Sequence, residues 1–141
     1  MKKKEWYELL DRYNEQAEAN AYNSIMVDKE QFSEIKKSIK EHIERMKTVA
    51  VADAEAKIMD YQRNGYNRAY AESKYNNSRF VKWAKKADVL LESINEDKPL
   101  QKKDMQGSFY ELRYFGIFTE TQMMLICATV LLLFIISRIL Q

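Results

Sequence analysis

From Met123 to Ile136 the chain reads MMLICATVLLLFII without a charge, and Ser137, Arg138, Ile139 and Leu140 extend the run. A stretch this apolar predicts a transmembrane helix over 120–140. Eleven residues between Met123 and Leu140 are Leu, Ile, Phe or Val. Near a bilayer centre they contribute roughly −3 to −7 kcal/mol toward insertion. Arg138 would cost about 2.5 to 3.5 kcal/mol at the midplane, but at the end of the span its stem can carry the charge to the interface. Insertion wins. The competing reading is a buried core helix of a soluble protein, because the uncharged run alone is shorter than an ideal span.

The residues before the run mark where the helix starts. Thr119 and Gln122 have the spacing of a capping box, Phe118 and Met123 that of a hydrophobic staple. Glu120 is then the first helical residue, where a carboxylate suits the positive end of the helix dipole. A helix over 120–140 is about 31 Å long, matching a hydrocarbon core of about 30 Å. Phe109, Tyr110, Tyr114, Phe115 and Phe118 crowd the stretch just upstream. Aromatic rings favour the headgroup boundary, so 98–119 is expected to be a juxtamembrane linker with an aromatic belt. Ser108 and Glu111 make a second capping box, which predicts a short interfacial helix over about 109–117. The residues expected at the membrane interface are Tyr110, Tyr114, Phe115, Phe118, Glu120 and Arg138.

Charge is divided just as unevenly. All 21 acidic residues lie at or before Glu120, and beyond it only Arg138 is charged. Setting Arg138 aside leaves 22 Lys and Arg against those 21 acids. So balanced a domain does not bind nucleic acid through net positive field. Lys98, Lys102, Lys103 and Arg113 precede the span, and the positive-inside rule puts the N-terminal part in the cytoplasm or an organelle matrix. The expected setting is a bacterial inner membrane or an organelle membrane such as the mitochondrial one, with the chain anchored by its tail. Met1-Lys2-Lys3-Lys4-Glu5-Trp6 lacks the apolar core of a secretory signal, and Glu5, Glu8 and Asp11 come too early for a transit peptide.

Only 3 Gly and 1 Pro occur, too few turn formers for a sheet protein, so the soluble part is expected to be all-α. Three amphipathic stretches predict helices over about 4–23, 29–63 and 66–95 within a soluble domain over 1–97. The first carries Trp6, Leu9, Leu10, Tyr13 and Ala17 on one face. The second has Asp28 as N-cap with Gln31 three residues on, and a stripe of Phe32, Ile35, Ile39, Ile43, Met46, Val49, Ala50, Ala54 and Tyr61. The third shows Phe80, Trp83, Ala84, Ala87, Leu90, Leu91 and Ile94 in phase, with Asn76-Asn77-Ser78 as a candidate break and Lys98-Pro99 as its stop. Phe32 to Tyr61 alone would extend about 45 Å. A rod this long predicts a helical hairpin hinged at Asn64-Gly65, with the first helix packed across it as a three-helix bundle. The alternative is an uninterrupted rod whose stripe another chain covers as a coiled coil. Phe32, Ile35, Ile39, Ile43, Met46, Trp83 and Leu91 are therefore the candidate interaction residues.

Reaction chemistry is hard to find. His42 is the only histidine and Cys127 the only cysteine, so neither a metal cluster nor an intramolecular disulfide is expected. No Gly-rich phosphate loop occurs. Between Tyr61 and Tyr75, Tyr66 and Tyr70 interleave with Arg63, Arg68 and Lys74 as in single-strand binders, but the tyrosines do not all share a face and acidic residues flank them. No cofactor, no metal and no catalytic residue is expected. The sequence predicts a non-catalytic, membrane-anchored interaction protein: an accessory subunit or scaffold of a larger membrane complex, with lipid and other protein subunits as partners. Self-association is a further expectation, although the span has no Gly-x-x-x-Gly pair. The rival is a small membrane-active or channel-regulating oligomer lined by Glu120, Thr121, Thr129 and Ser137.

Overall fold

A computed structural model describes residues 1–22, 28–76, 78–111, 113–114 and 118–139. The chain is all-α, with six helices among the described residues, and it divides into two compact units, Met1–Tyr110 and Glu111–Gln141.

The first unit begins with α1 (Lys3–Ala21), where the Glu5 carboxylate accepts from the Lys2 N–H at 2.7 Å. Helix α2 (Lys29–Arg63) runs 35 residues, about 52 Å. Its start is held by Asp28, whose Oδ1 accepts from the Glu30 and Gln31 N–H groups at 3.1 Å each. Its end is closed by the Tyr66 N–H on the Tyr61 carbonyl and the Gly65 N–H on that of Gln62. This double closure needs a left-handed residue at Gly65, where φ is +86°. Two residues later Asn67 Oδ1 accepts from the Tyr70 N–H at 2.8 Å and opens α3 (Arg68–Asn76). The chain reverses at Gly65, which makes the hairpin and removes the continuous rod.

The expected helix over 66–95 is two helices, α3 and α4 (Arg79–Asn95). Ser78 between them is extended, with φ −78° and ψ 167°. Asn and Ser are weak helix formers, so a continuous apolar phase did not secure a continuous helix. At the far end of α4, Asp97 takes the left-handed position with φ +54° and its carboxylate meets Lys36 Nζ of α2 at 2.7 Å.

One core holds the unit together. Trp6, Leu10, Tyr13 and Ala17 of α1 pack with the α2 stripe from Phe32 to Ala54 and with Phe80, Trp83, Ala87, Leu90 and Ile94 of α4. Trp6 lies near His42 and Tyr13 near Phe32, so α1 runs antiparallel to the first half of α2. Val49, expected in the stripe, is exposed. Along its last turns α2 packs on α3, with Ile58 and Ala71 buried.

The segment after α4 departs most from expectation. Residues 98–110, read from sequence as the first half of a membrane-proximal linker, form a strap that completes the core. It includes the short α5 (Lys102–Met105), and Leu100, Met105, Ser108 and Tyr110 are buried.

The second unit contains a two-residue antiparallel ladder, β1 (Arg113–Tyr114) with β2 (Phe118–Thr119), and α6 (Glu120–Ile139). Arg113 pairs with Thr119 and Tyr114 with Phe118. No interfacial helix over 109–117 forms among the described residues; Leu112 and 115–117 lie outside them. Helix α6 is long and apolar enough to cross a membrane, and none of its described side chains is buried.

Candidate functional site

The candidate interaction residues are spent inside the chain. Phe32, Ile35, Ile39, Ile43 and Met46 of α2 and Trp83 of α4 are all buried in the intramolecular core, and Leu91 packs against it half-buried. From Phe32 to Ala54 the stripe packs with α1, α4 and the strap, apart from Val49, which is exposed. Ile43, Trp83 and Leu91 border a cleft of about 60 Å³ with Lys47, Ala84, Ala87 and Asp88. Ligand sites begin near 300 Å³, so this cleft does not hold an organic molecule.

Ser108 is the polar centre of the strap and was not singled out by its sequence context except as a helix cap. It is 1% exposed. Its hydroxyl accepts from Trp6 Nε1 at 2.9 Å and donates to the Met105 carbonyl at 2.6 Å, while its own carbonyl accepts from Trp83 Nε1 at 2.8 Å. Two indoles from different helices thus find their partners on one strap residue, as buried Trp N–H groups must. Further along, the Leu100 N–H donates to Asn14 Oδ1 at 2.6 Å and the Tyr13 hydroxyl to the Lys98 carbonyl at 3.1 Å. Burial, with Asp97 nearby, raises the Tyr13 phenol above its ordinary value.

Tyr110, expected at a membrane interface, closes the strap instead. Its hydroxyl donates to Asp53 Oδ2 at 2.6 Å, the oxygen that Arg79 Nη2 also meets at 3.2 Å. The Arg79 guanidinium lies 5.1 Å from the Tyr110 ring centre, and the ring packs edge-on against Trp83. Burial first, then the hydrogen bond to Asp53, raise its phenol above the usual range. Sequence alone could not separate the two roles, because aromatic rings are enriched both in cores and at bilayer boundaries.

His42 is also interior, 7% exposed, between the rings of Trp6 and Phe109. Its Nε2 has no hydrogen-bond partner among the described residues. Burial, the N-terminal ammonium and Arg45 all lower its pKa. A neutral imidazole in an aromatic sandwich lacks the ordered carboxylate a general base would need. Among the described residues no group of three His, Cys, Asp or Glu side chains could hold a metal ion.

Exposed apolar side chains gather at the hairpin turn and on α6, while others, among them Tyr22, Val49, Val51 and Val89, are scattered over the first unit. At the turn Tyr66 and Tyr70 stack with centroids 4.8 Å apart, and Tyr61 meets both edge-on at 5.9 and 6.2 Å. Tyr61, which shares no face with Tyr66 and Tyr70 on one straight helix, is brought to them because the chain reverses at Gly65. The signal was present: a ring on either side of Asn64-Gly65 is the apolar contact that accompanies this helix closure. In the second unit the predicted cap forms, with the Thr119 N–H donating to Gln122 Oε1 at 3.0 Å and the Gln122 N–H to Thr119 Oγ1 at 3.4 Å. Glu120 is exposed at the first position of α6, and the Arg138 guanidinium lies 5.5 Å over the Phe134 ring. Tyr114 and Phe118 sit in the ladder, and Phe115 lies outside the described residues. Thr129 and Ser137 donate to the carbonyls of Leu125 and Phe134, so their hydroxyls are satisfied within the helix.

No protein-family profile matches the chain, and no curated protein or solved structure is significantly similar to it.

Proposed function

We propose that the protein is a non-catalytic, single-pass membrane protein that presents a helical hairpin domain as an accessory subunit or scaffold of a larger membrane complex. The observation that carries this reading is α6, a 20-residue apolar helix with none of its described side chains buried. In water its exposed Leu, Ile and Val surface would be a severe liability; in lipid it is satisfied. The domain before it has a closed core and no reaction site among its described residues, which leaves holding and positioning as its work. Lipid and other protein subunits are the partners, and nucleic acid is not. The lysines before α6 favour a domain on the cytoplasmic or matrix side. The channel-lining alternative finds less support, because Thr129 and Ser137 turn their hydroxyls to their own backbone.

Isolation of the full chain in mild detergent, followed by native mass spectrometry, tests the reading. Stoichiometric co-purifying subunits are the expected result. A monomer that leaves the membrane in alkali would overturn the anchor, and one that stays embedded without any partner would overturn the subunit role.

A further inference from the structure

We propose that the tyrosine tip of the hairpin rests in the headgroup layer of an anionic bilayer, a reading that depends on α6 being a membrane anchor. Tyrosine suits that layer because its ring is apolar and its hydroxyl stays wet. Tyr66 and Tyr70 are 48% and 41% exposed although their rings stack on each other. The doubly closed turn at Gly65 and the Asn67 cap fix them in advance, so little conformational freedom is lost on contact.

Charge points the same way. Between Glu55 and Tyr75, four basic residues (Lys57, Arg63, Arg68, Lys74) stand against three acids (Glu55, Asp60, Glu72); Arg68 answers Glu72 at 2.6 Å and Glu55 nearby, which leaves Lys57, Arg63 and Lys74 beside the rings. Lys57 stands one turn before Tyr61 on the same face of α2. The Lys74 ammonium lies 5.3 Å over the Tyr70 ring. Cations bracketing rings complement acidic headgroups.

Area decides among occupants. Three part-exposed rings offer roughly 100 Å² each, well short of the ~800 Å² per side of a stable protein interface. A second copy meeting tip to tip has the same shortage and adds repulsion between like charges. A bilayer requires less intrinsic affinity, because a tethered domain meets it at high effective concentration.

Spin labelling of the full chain in phosphatidylglycerol/phosphatidylcholine vesicles tests this. With Cys127→Ser, a nitroxide on Gln62→Cys reports the tip and one on Glu34→Cys the opposite end of α2; both native residues are exposed. The tip label should collide with oxygen in preference to a water-soluble nickel chelate, and the Glu34→Cys label the reverse. Molar salt, or vesicles of phosphatidylcholine alone, should abolish the difference. Lys57→Gln and Lys74→Gln should each weaken the contact roughly fivefold. A tip label as open to the chelate as the control, in protein that resists alkali, would overturn the tip contact and leave the anchor standing. Release by alkali would overturn both. Dipolar broadening between tip labels regardless of lipid would overturn the lipid contact in favour of a second copy.

Discussion

Ser108 has a stability role out of proportion to its size. Replacing it with alanine leaves the Trp83 bond to its carbonyl intact but strands the buried Trp6 Nε1–H. An unsatisfied buried donor costs about 1–3 kcal/mol. Ser108→Ala should therefore lower the unfolding midpoint of the detergent-solubilised chain by several degrees, read by circular dichroism, and Trp6→Phe in that background should restore part of the loss. No change on Ser108→Ala would mean that the strap is not held through this hydroxyl. His42 gives the domain a pH dependence whose sign is fixed. Its folded pKa lies below the ordinary 6.5, so in mildly acidic solution the unfolded chain binds the proton first. Stability contributed by the neutral ring is complete above about pH 6.5 and declines as pH falls toward the folded value, then levels off. Urea midpoints across this range should show that decline in the native chain and lack it in His42→Gln.

At the scale of elements, much could be read from sequence, and the exceptions have causes. Asp28 with Gln31 at one end and Gly65 at the other bounded α2, because helix caps are local chemistry. The Thr119–Gln122 cap of α6 was legible for the same reason. The role of 98–110 was not. That segment has no periodicity, and its place is set by Trp6, Asn14, Met46 and Asp53, residues distant in sequence. The tyrosine cluster was not assembled from sequence because Tyr61 stands across the Gly65 turn from Tyr66 and Tyr70, and the faces were projected along each helix separately. Where the stripe meets α4, the packing makes its own prediction. Trp83→Ala leaves a cavity and should cost about 3–5 kcal/mol. Ile39→Asp puts a charge into a seam with no partner and should melt a domain of ordinary stability. Both should appear as loss of helicity in thermal melts. Retained helicity in Ile39→Asp would contradict a closed core.

Over the whole molecule, the two units impose different requirements. Ending the chain after Thr119 removes α6 and should yield a water-soluble, helical protein that leaves the membrane in alkali. Ending it after Gly107 removes Ser108 and Tyr110 as well, and should give a product with a melting transition lowered or lost. Recovery of the longer truncation in alkali-resistant membranes would mean that residues before Glu120 also embed. Equal melting of the two truncations would mean that the strap is dispensable.

The bond between Trp6 and Ser108 joins residues 102 positions apart, and that separation governs the order of events during synthesis. Helix α1 is made well before the strap residues that complete its environment. Until the strap arrives, the Trp6 Nε1–H lacks its Ser108 partner and the α2 flank at Met46 lacks Tyr110. Closing so long a loop delays folding relative to bundles built from neighbouring contacts. A helical domain wired end to end in this way is expected to refold more slowly than its helix content implies.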